Sequence, residues 1–343
     1  MPDPLLAPDD FAAAVRDIVR RHDAREIIPV TEPACLGLLD SATELAGAVI
    51  AGPTLEAFRA ISDKEHMLAV ARGVGLATPA QFRLEHPADV VGASLDAIPF
   101  PVVLKPTRSV RGGRIYSVSY ATSVDELRAT LRATPDSAFP LLIQQRVVGP
   151  GTGIFLLRWD RRILATFAHR RLRESPPSGG ASVYSESIEA EPALVAGGTH
   201  LLERFDWRGV AMLEMKRDMH SGVAYVMEVN GRFWGSLQLA IDAGVDFPVL
   251  LADAALGRVP PGPPGYRRGM RLRWWWGDVN HLLARLRHSP ARLALPPNAP
   301  SRASLVREFF TIRRADRNET FRLDDPRPFL VDGREWLAAH RRR

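Results

Sequence analysis

The run Ala224-Tyr-Val-Met-Glu-Val-Asn-Gly-Arg-Phe-Trp-Gly-Ser236 concentrates residues that could do chemistry. It reads as a strand through about Asn230 that passes directly into a Gly-rich turn. Alternation along a strand puts Glu228 and Asn230 on one face and Met227 and Val229 on the other. A carboxylate and a carboxamide side by side make a hard oxygen site, suited to Mg²⁺ rather than to zinc. Arg232 follows at once, where a guanidinium could hold a phosphate beside that cation. Upstream, Gly209-Val-Ala-Met-Leu-Glu-Met-Lys216 is a second strand-like run with one acid inside it, Glu214. Two neighbouring strands, each with an inward carboxylate, would form a two-cation phosphate clamp. An antiparallel hairpin with its acids in water, turning near Asp218 and Gly222, fits the same pattern.

Two further stretches have phosphate chemistry. Phe100-Pro-Val-Val-Leu-Lys-Pro106 is a strand ending in Lys105, and Thr107 to Gly113 is a basic, Gly-rich loop leading into a strand over Arg114–Ser119. Backbone N–H groups of such a loop can wrap phosphate oxygens while a nearby ammonium supplies charge. The loop lacks the Gly-Lys-Ser/Thr ending and following helix of a Walker motif, and a surface hairpin would look alike. His169 to Gly180 reads as a basic, then Pro/Gly-rich loop. Beside a triphosphate, Arg170 or Arg171 could stabilise charge on a transferred phosphoryl group, whereas His169 reads as structural. Only Lys64, Lys105 and Lys216 occur against 42 arginines. In a chain so biased, a lysine marks a place where a compact ammonium is wanted.

The elements that must position these residues alternate between helix and strand. Asp9–His22 and Pro33–Ala46 have helical spacing, and Glu26–Val30 and Ala48–Ala51 read as short strands of a parallel α/β piece. Ser62-Asp-Lys-Glu65 has the pattern of a capping box before a helix to about Arg72. A capped helix over Ser123–Ala133 precedes a strand over Leu141–Gly149. Strands over Gly153–Arg158 and Ile163–Ala168 turn at Asp160-Arg161, and a helix spans Ala193–Phe205. After the central motif, Gly235–Pro248 contains a short helix, and Pro260–Gly265 is a linker. The closing segment carries Trp274-Trp-Trp276, which cannot share one face, an apolar helix over Val279–Leu286, and a strap over Asp324–Leu330.

Taken together, the central motif and its following helix closely resemble the metal- and phosphate-binding core of the ATP-grasp superfamily. The likeness extends over roughly residues 60–255 and is to the carboxylate–amine ligase and carbamoyl-phosphate-synthase-like members. It implies a mixed α/β (α+β) ATP-grasp fold. The expected division is a partial N-terminal α/β domain at 1–60, an ATP-grasp domain at 61–256 with a lid at about 78–143, and a basic C-terminal extension at 266–343. The resemblance also implies that Lys64 and Lys105 position ATP, with Gly112 and Gly113 over its phosphates. It places the adenine edge at Gln144, Gln145 and the Val147 backbone, and one of Arg170 and Arg171 at the γ-phosphate. Gln where the family often has Glu is a departure. So is Gly151, where a ribose-binding acid commonly stands, and the opening strand and Gly-rich turn of the family's N-terminal domain are not found.

Composition is compatible with this. The apolar fraction of 46% and charged fraction of 24% are those of an ordinary globular protein, and no apolar run approaches the roughly 20 residues of a membrane span. With Cys35 alone, no internal disulfide or cysteine-based zinc cluster can form, and a cytoplasmic protein is the expectation. The net charge of +6 is uneven, because Arg267 to the end holds 18 arginines and 8 acids. These arginines are interspersed with acids and apolar residues, without a nucleic-acid-binding motif. The expected activity is an ATP- and Mg²⁺-dependent carboxylate–amine ligation through an acylphosphate. Glu214, Glu228 and Asn230 would hold the metal, and Arg232 the terminal phosphate and acyl group. A phosphotransferase, a carboxylase or an inactive nucleotide sensor are alternatives. A two- or three-stranded N-terminal sheet is expected to have an apolar edge covered by the C-terminal segment or by a partner, as in a homodimer.

Overall fold

The computed structural model describes residues 1–41, 45–86, 88–89, 100–108, 110–111, 114–116, 118–258, 262–293, 295–296, 298–311 and 313–341. The chain opens with α1 (Pro8–His22), β1 (Glu26–Ile27), α2 (Glu32–Asp40) and β2 (Val49–Ile50), followed by α3 (Leu55–Ser62) and α4 (Lys64–Gly73). The strands β1 and β2 pair in parallel. Phe11, Ala12 and Leu38 from the helices pack with Ile27 and Ile50, while Ile28 and Ala51 join the main core near Phe233 and Leu251. The two-stranded sheet is thus packed by α1, α2 and the main core.

A small sheet follows, built from β3 (Gln81–Leu84), β4 (Val102–Pro106), β7 (Ser119–Ala121) and β8 (Leu141–Gln145). Its order is β3-β8-β4-β7 and all its pairs are antiparallel. A short ribbon, β5 (Val110–Arg111) with β6 (Arg114–Ile115), lies between β4 and β7, and α5 (Val124–Ala133) packs Leu127 and Leu131 on the sheet. Ser123 caps α5 by accepting the Glu126 N–H. Gly112 and Gly113 lie outside the described residues.

The main sheet has the order β13-β12-β9-β10-β11-β14-β15. Its members are β9 (Gly151–Trp159), β10 (Arg162–Ser175), β11 (Ala181–Ser187), β12 (Gly209–Arg217), β13 (Ala224–Asn230), β14 (Arg271–Arg273) and β15 (Asp316–Asn318). Every residue of β9 is buried, because both faces are covered. Ile154 and Leu156 meet α6 (Pro192–Arg204) and α4 on one side. Phe155, Leu157 and Trp159 meet α7 (Leu237–Ala243) and α8 (Phe247–Ala255) on the other. Asp160 and Arg161 make the β9–β10 turn with φ of 46° and 64°, the left-handed pair that a tight hairpin needs.

Three local expectations change. The strand β10 runs on through His169–Ser175, so Arg170 and Arg171 stand on a strand and not in a loop. The cap of α4 is Asp63, which accepts the His66 N–H at 3.1 Å, while Ser62 ends α3. The C-terminal segment enters the main sheet through β14 and β15, between which lie α9 (Trp275–Arg287) and α10 (Arg302–Phe310). The closing strap leads straight into α11 (Arg327–Arg341). The three tryptophans all pack within the chain. Trp274 donates to Asp332, Trp275 meets Phe309, and Trp276 lies against Phe329 and Trp336.

The passage from β8 to β9 tolerates only glycine at position 149, since a Cβ there would overlap the Arg217 carbonyl oxygen, which is fixed in backbone. Gly149→Ala should lower stability by about 3 kcal/mol, the cost of overpacking a site that cannot relax, as a drop in urea midpoint. An unchanged midpoint would show that this crossing is looser than described.

Candidate active site

Between the two sheets lies a cavity of ≈ 1150 Å³, larger than a single small ligand usually needs. Its floor is the β12–β13 pair. Glu214 and Glu228 are direct cross-strand partners, and Asn230, two residues on, shares the Glu228 face. Like charges directly opposite one another destabilise a sheet unless compensated. Here each has a cation. Arg171, across β9 on β10, holds Glu214 with two bonds of 3.0 and 2.7 Å. Lys64, at the start of α4, lies 3.4 Å from Glu228. The Lys64 N–H donates to the Thr107 carbonyl, which ties the α4 start to the end of β4, where Lys105 stands.

Burial would raise the Glu228 pKa, but Lys64 and then Lys105 outweigh it and hold the carboxyl below the ordinary range. Burial likewise works against charge on Arg171, and Glu214 with Glu174 more than restores it. Lys105 is different. No carboxylate among the described residues is within ion-pair distance of it, and burial brings its pKa down to about 8, against partial support from Glu228. Arg232 donates to the Phe233 carbonyl at 2.7 Å and to Asn230 Oδ1 at 3.3 Å, which turns its guanidinium back onto the same floor. Five cations (Lys64, Lys105, Arg171, Lys216, Arg232) and three acids (Glu174, Glu214, Glu228) line this part of the cavity, a balance suited to a polyanion.

Gln144, Gln145 and Val147 line the same cavity. Gln144 is 1% exposed and donates to Gln81 Oε1 at 3.1 Å; Gln145 is half-buried. Arg170 is the candidate that the structure does not bring in. Alternation along β10 turns it to the other face, where it pairs with Glu186 at 2.7 Å. His169 is fully buried, 3.1 Å from Ser236 Oγ and edge-on to Phe155, and burial keeps it neutral. It fixes the turn after β13.

Sequence reasoning missed Glu174. Its carboxylate accepts from Arg171 at 3.1 Å and from Lys216 at 2.9 Å. The scarcity of lysine was the available signal for Lys216. Gly151 now has a reason, since a Cβ there would come within 2.7 Å of both Arg171 Cδ and Glu174 Oε1. Where the resembling family often has a ribose-binding acid, this chain makes room for an Arg–Glu pair.

The donor set suits Mg²⁺. Glu214, Glu228 and the Asn230 carboxamide oxygen are hard ligands on one floor. No group of three His, Cys, Asp or Glu side chains among the described residues could hold a metal unaided. A cation here would complete its shell with phosphate oxygens and water, as Mg²⁺ commonly does.

Comparison with known proteins agrees with this geometry. Residues 138–277 match the sequence model of a family described as ATP-grasp in the biosynthetic pathway with Ter operon. A D-alanine–D-alanine ligase of Frankia casuarinae is 28% identical over 113 residues, 33% of this chain and 29% of the ligase. The L-amino acid ligase of Bacillus licheniformis superposes with a TM-score of 0.56 at 19% identity, over 71% of this chain and 59% of that one. A Campylobacter jejuni biotin carboxylase, solved as its β,γ-ATP complex, gives 0.63 at 14% identity over 76% and 60%. The chain therefore spans about three-fifths of these solved structures and under a third of the ligase's length. The chain thus has the fold of these ATP-grasp structures, and residues 138–277 carry the sequence pattern of an ATP-grasp family.

Lys105 gives a pH prediction. Its charge is lost as pH rises through about 8, so affinity for an ATP analogue should fall several-fold between pH 7 and pH 9. Calorimetry should show proton uptake on binding near pH 8, and Lys105→Met should bind weakly without that pH dependence. The same profile in wild type and variant would remove Lys105 from the phosphate site.

Proposed function

We propose that this protein is an ATP- and Mg²⁺-dependent carboxylate–amine ligase that works through an acylphosphate and releases ADP. The observation that carries the reading is the compensated Glu214–Glu228 pair, set with Asn230, Arg171 and Arg232 on the floor of a cavity roomy enough for a nucleotide and a second substrate. Lys64 and Lys105 hold the nucleotide phosphates. Gln144, Gln145 and the Val147 backbone form the adenine end, and Gln144 presents an amide whose oxygen can accept from an adenine amino group.

Glu214, Glu228 and Asn230 would hold Mg²⁺, which would supply neutralisation of phosphate charge. Arg232 draws the acceptor carboxylate and the terminal phosphate together, so that oxygen of the acid attacks phosphorus in line. Arg171 is fixed by two carboxylates and therefore needs no reorganisation to stabilise equatorial charge. The amine then displaces phosphate from the acylphosphate. No covalent enzyme nucleophile is needed. Cys35 is buried and its thiol is pushed up to about 12 by burial.

Glu228→Gln keeps the shape of the floor and removes one ligand charge. It should remain folded and lose about 10²-fold or more in turnover. Hydroxylamine traps an acylphosphate, so wild type with a suitable acid should give a hydroxamate and ADP in equal amounts. AMP and pyrophosphate would instead mean an adenylate route. Wild-type hydroxamate formation by Glu228→Gln would dismiss the metal assignment, and nucleotide binding without ADP release from any acid tried would point to a sensor.

A further inference from the structure

The helix α9 inverts the amphipathic pattern expected of it. Its buried residues are Gly277, Asp278, His281 and Arg285, while Leu286 is exposed. The polar residues at i, i+3 and i+7 form one stripe, and that stripe faces inward. Asp278 is fully used, taking two bonds from Arg173 and one from Arg273. His281 and Arg285 are not.

Arg285 is 7% exposed. One nitrogen donates to the Pro300 carbonyl, and no carboxylate among the described residues pairs with it. Its charged neighbour is Arg302, which adds to the cost of burial. A buried cation without a counter-ion is strongly unfavourable, and this one lines the same cavity as Lys64 and Lys105. His281 is 6% exposed, with Nδ1 2.7 Å from the Glu174 carbonyl oxygen. A carbonyl only accepts, so Nδ1 carries the proton and Nε2 holds a lone pair. No described group donates to that lone pair. His281 also lines the cavity. A short relay places it beside the phosphate floor: Glu214 to Arg171, Arg171 to Glu174, and the Glu174 backbone to His281.

We propose that this wall is the acceptor-substrate site and takes a free α-amino acid, with Arg285 binding its carboxylate and His281 taking the proton its amino group sheds. The inference rests on the ligase reading above. An i, i+4 pair lies about 5–6 Å apart at Cβ, a span that suits an amine and a carboxylate on one small molecule. The amino acid arrives as an ammonium ion, and His281 Nε2 removes one proton. The freed lone pair forms the C–N bond to the acyl carbon, and the C–O bond to phosphate breaks with its electron pair leaving on phosphate. The second nitrogen proton leaves with phosphate. His281 is surrounded by Glu174, Asp278, Arg173 and Arg285, and burial lowers its pKa against the Glu174 hydrogen bond, so its lone pair is available at neutral pH.

The test is equilibrium binding of the proteinogenic L-amino acids, one at a time, to the full chain with and without Mg²⁺ and a non-hydrolysable ATP analogue. At least one should bind, and its carboxamide derivative should bind at least tenfold more weakly. Arg285→Gln should weaken the amino acid at least tenfold and leave the analogue's affinity unchanged, which also reports that the variant is folded. Arg285→Lys, which keeps the charge, should lose less. No binding by any amino acid, or binding indifferent to Arg285→Gln, would overturn the proposal. Amino-acid binding through Arg285 without analogue binding would leave this site standing and end the ligase reading. In turnover, His281→Gln should cut amide formation at least tenfold while sparing hydroxamate formation, since hydroxylamine is already neutral. Equal losses in both would make His281 merely structural.

Discussion

The structure depends on two carboxylates that a sheet would not ordinarily place together. Glu214 and Glu228 are register partners on adjacent antiparallel strands, where unshielded like charges repel at close range. The cost is met by cations from three different parts of the chain: Lys64 from α4, Lys105 from the small sheet and Arg171 from β10. Lys64 and Arg171 are each held by something other than the carboxylate they face. The Lys64 backbone is bonded to Thr107, and Arg171 is braced by Glu174 and the Gly180 carbonyl. The cations are therefore pre-placed, so that under the proposed function a polyanion would enter without assembling the site anew.

That arrangement explains several features that look unrelated in the chain. Gly151 is small because the Arg171 and Glu174 side chains occupy the space of its Cβ. Lys64, the first residue of α4, is buried, while Asp63 and Glu65 beside it are only partly covered and His66 is exposed. The basic C-terminal segment adds β14 beyond β11 and brings α9 residues to the cavity wall. Among the described residues, five of the arginines there, Arg268, Arg271, Arg273, Arg313 and Arg322, pair with Glu189, Glu186, Asp278, Glu308 and Asp242.

Much of this was legible in the sequence where the physics is local. Strand alternation placed Glu228 with Asn230, and the rarity of lysine drew attention to positions 64, 105 and 216. The family resemblance gave the fold, and from it the role read for Lys64. What failed to show was non-local. Residues 169–175 read as a loop because nearly every side chain is polar, yet β10 is paired along both edges, with β9 and β11. The choice between Arg170 and Arg171 needed the face of that strand. The inward polar stripe of α9 was hidden by Leu282, Leu283 and Leu286, which satisfy helical spacing without marking the buried side. The pairing of β14 with β11 joins residues more than eighty positions apart, and no pattern within either segment announces it.

As proposed, the Glu214–Glu228 floor is a cation site that works only together with a nucleotide. Its most direct test is the affinity of wild-type protein for a non-hydrolysable ATP analogue, measured in excess Mg²⁺ and again in excess chelator. Binding at least tenfold tighter with Mg²⁺ is the result this structure predicts. Equal affinity in the two conditions would mean that the carboxylate pair serves only its own lysines and arginine, and would contradict the account.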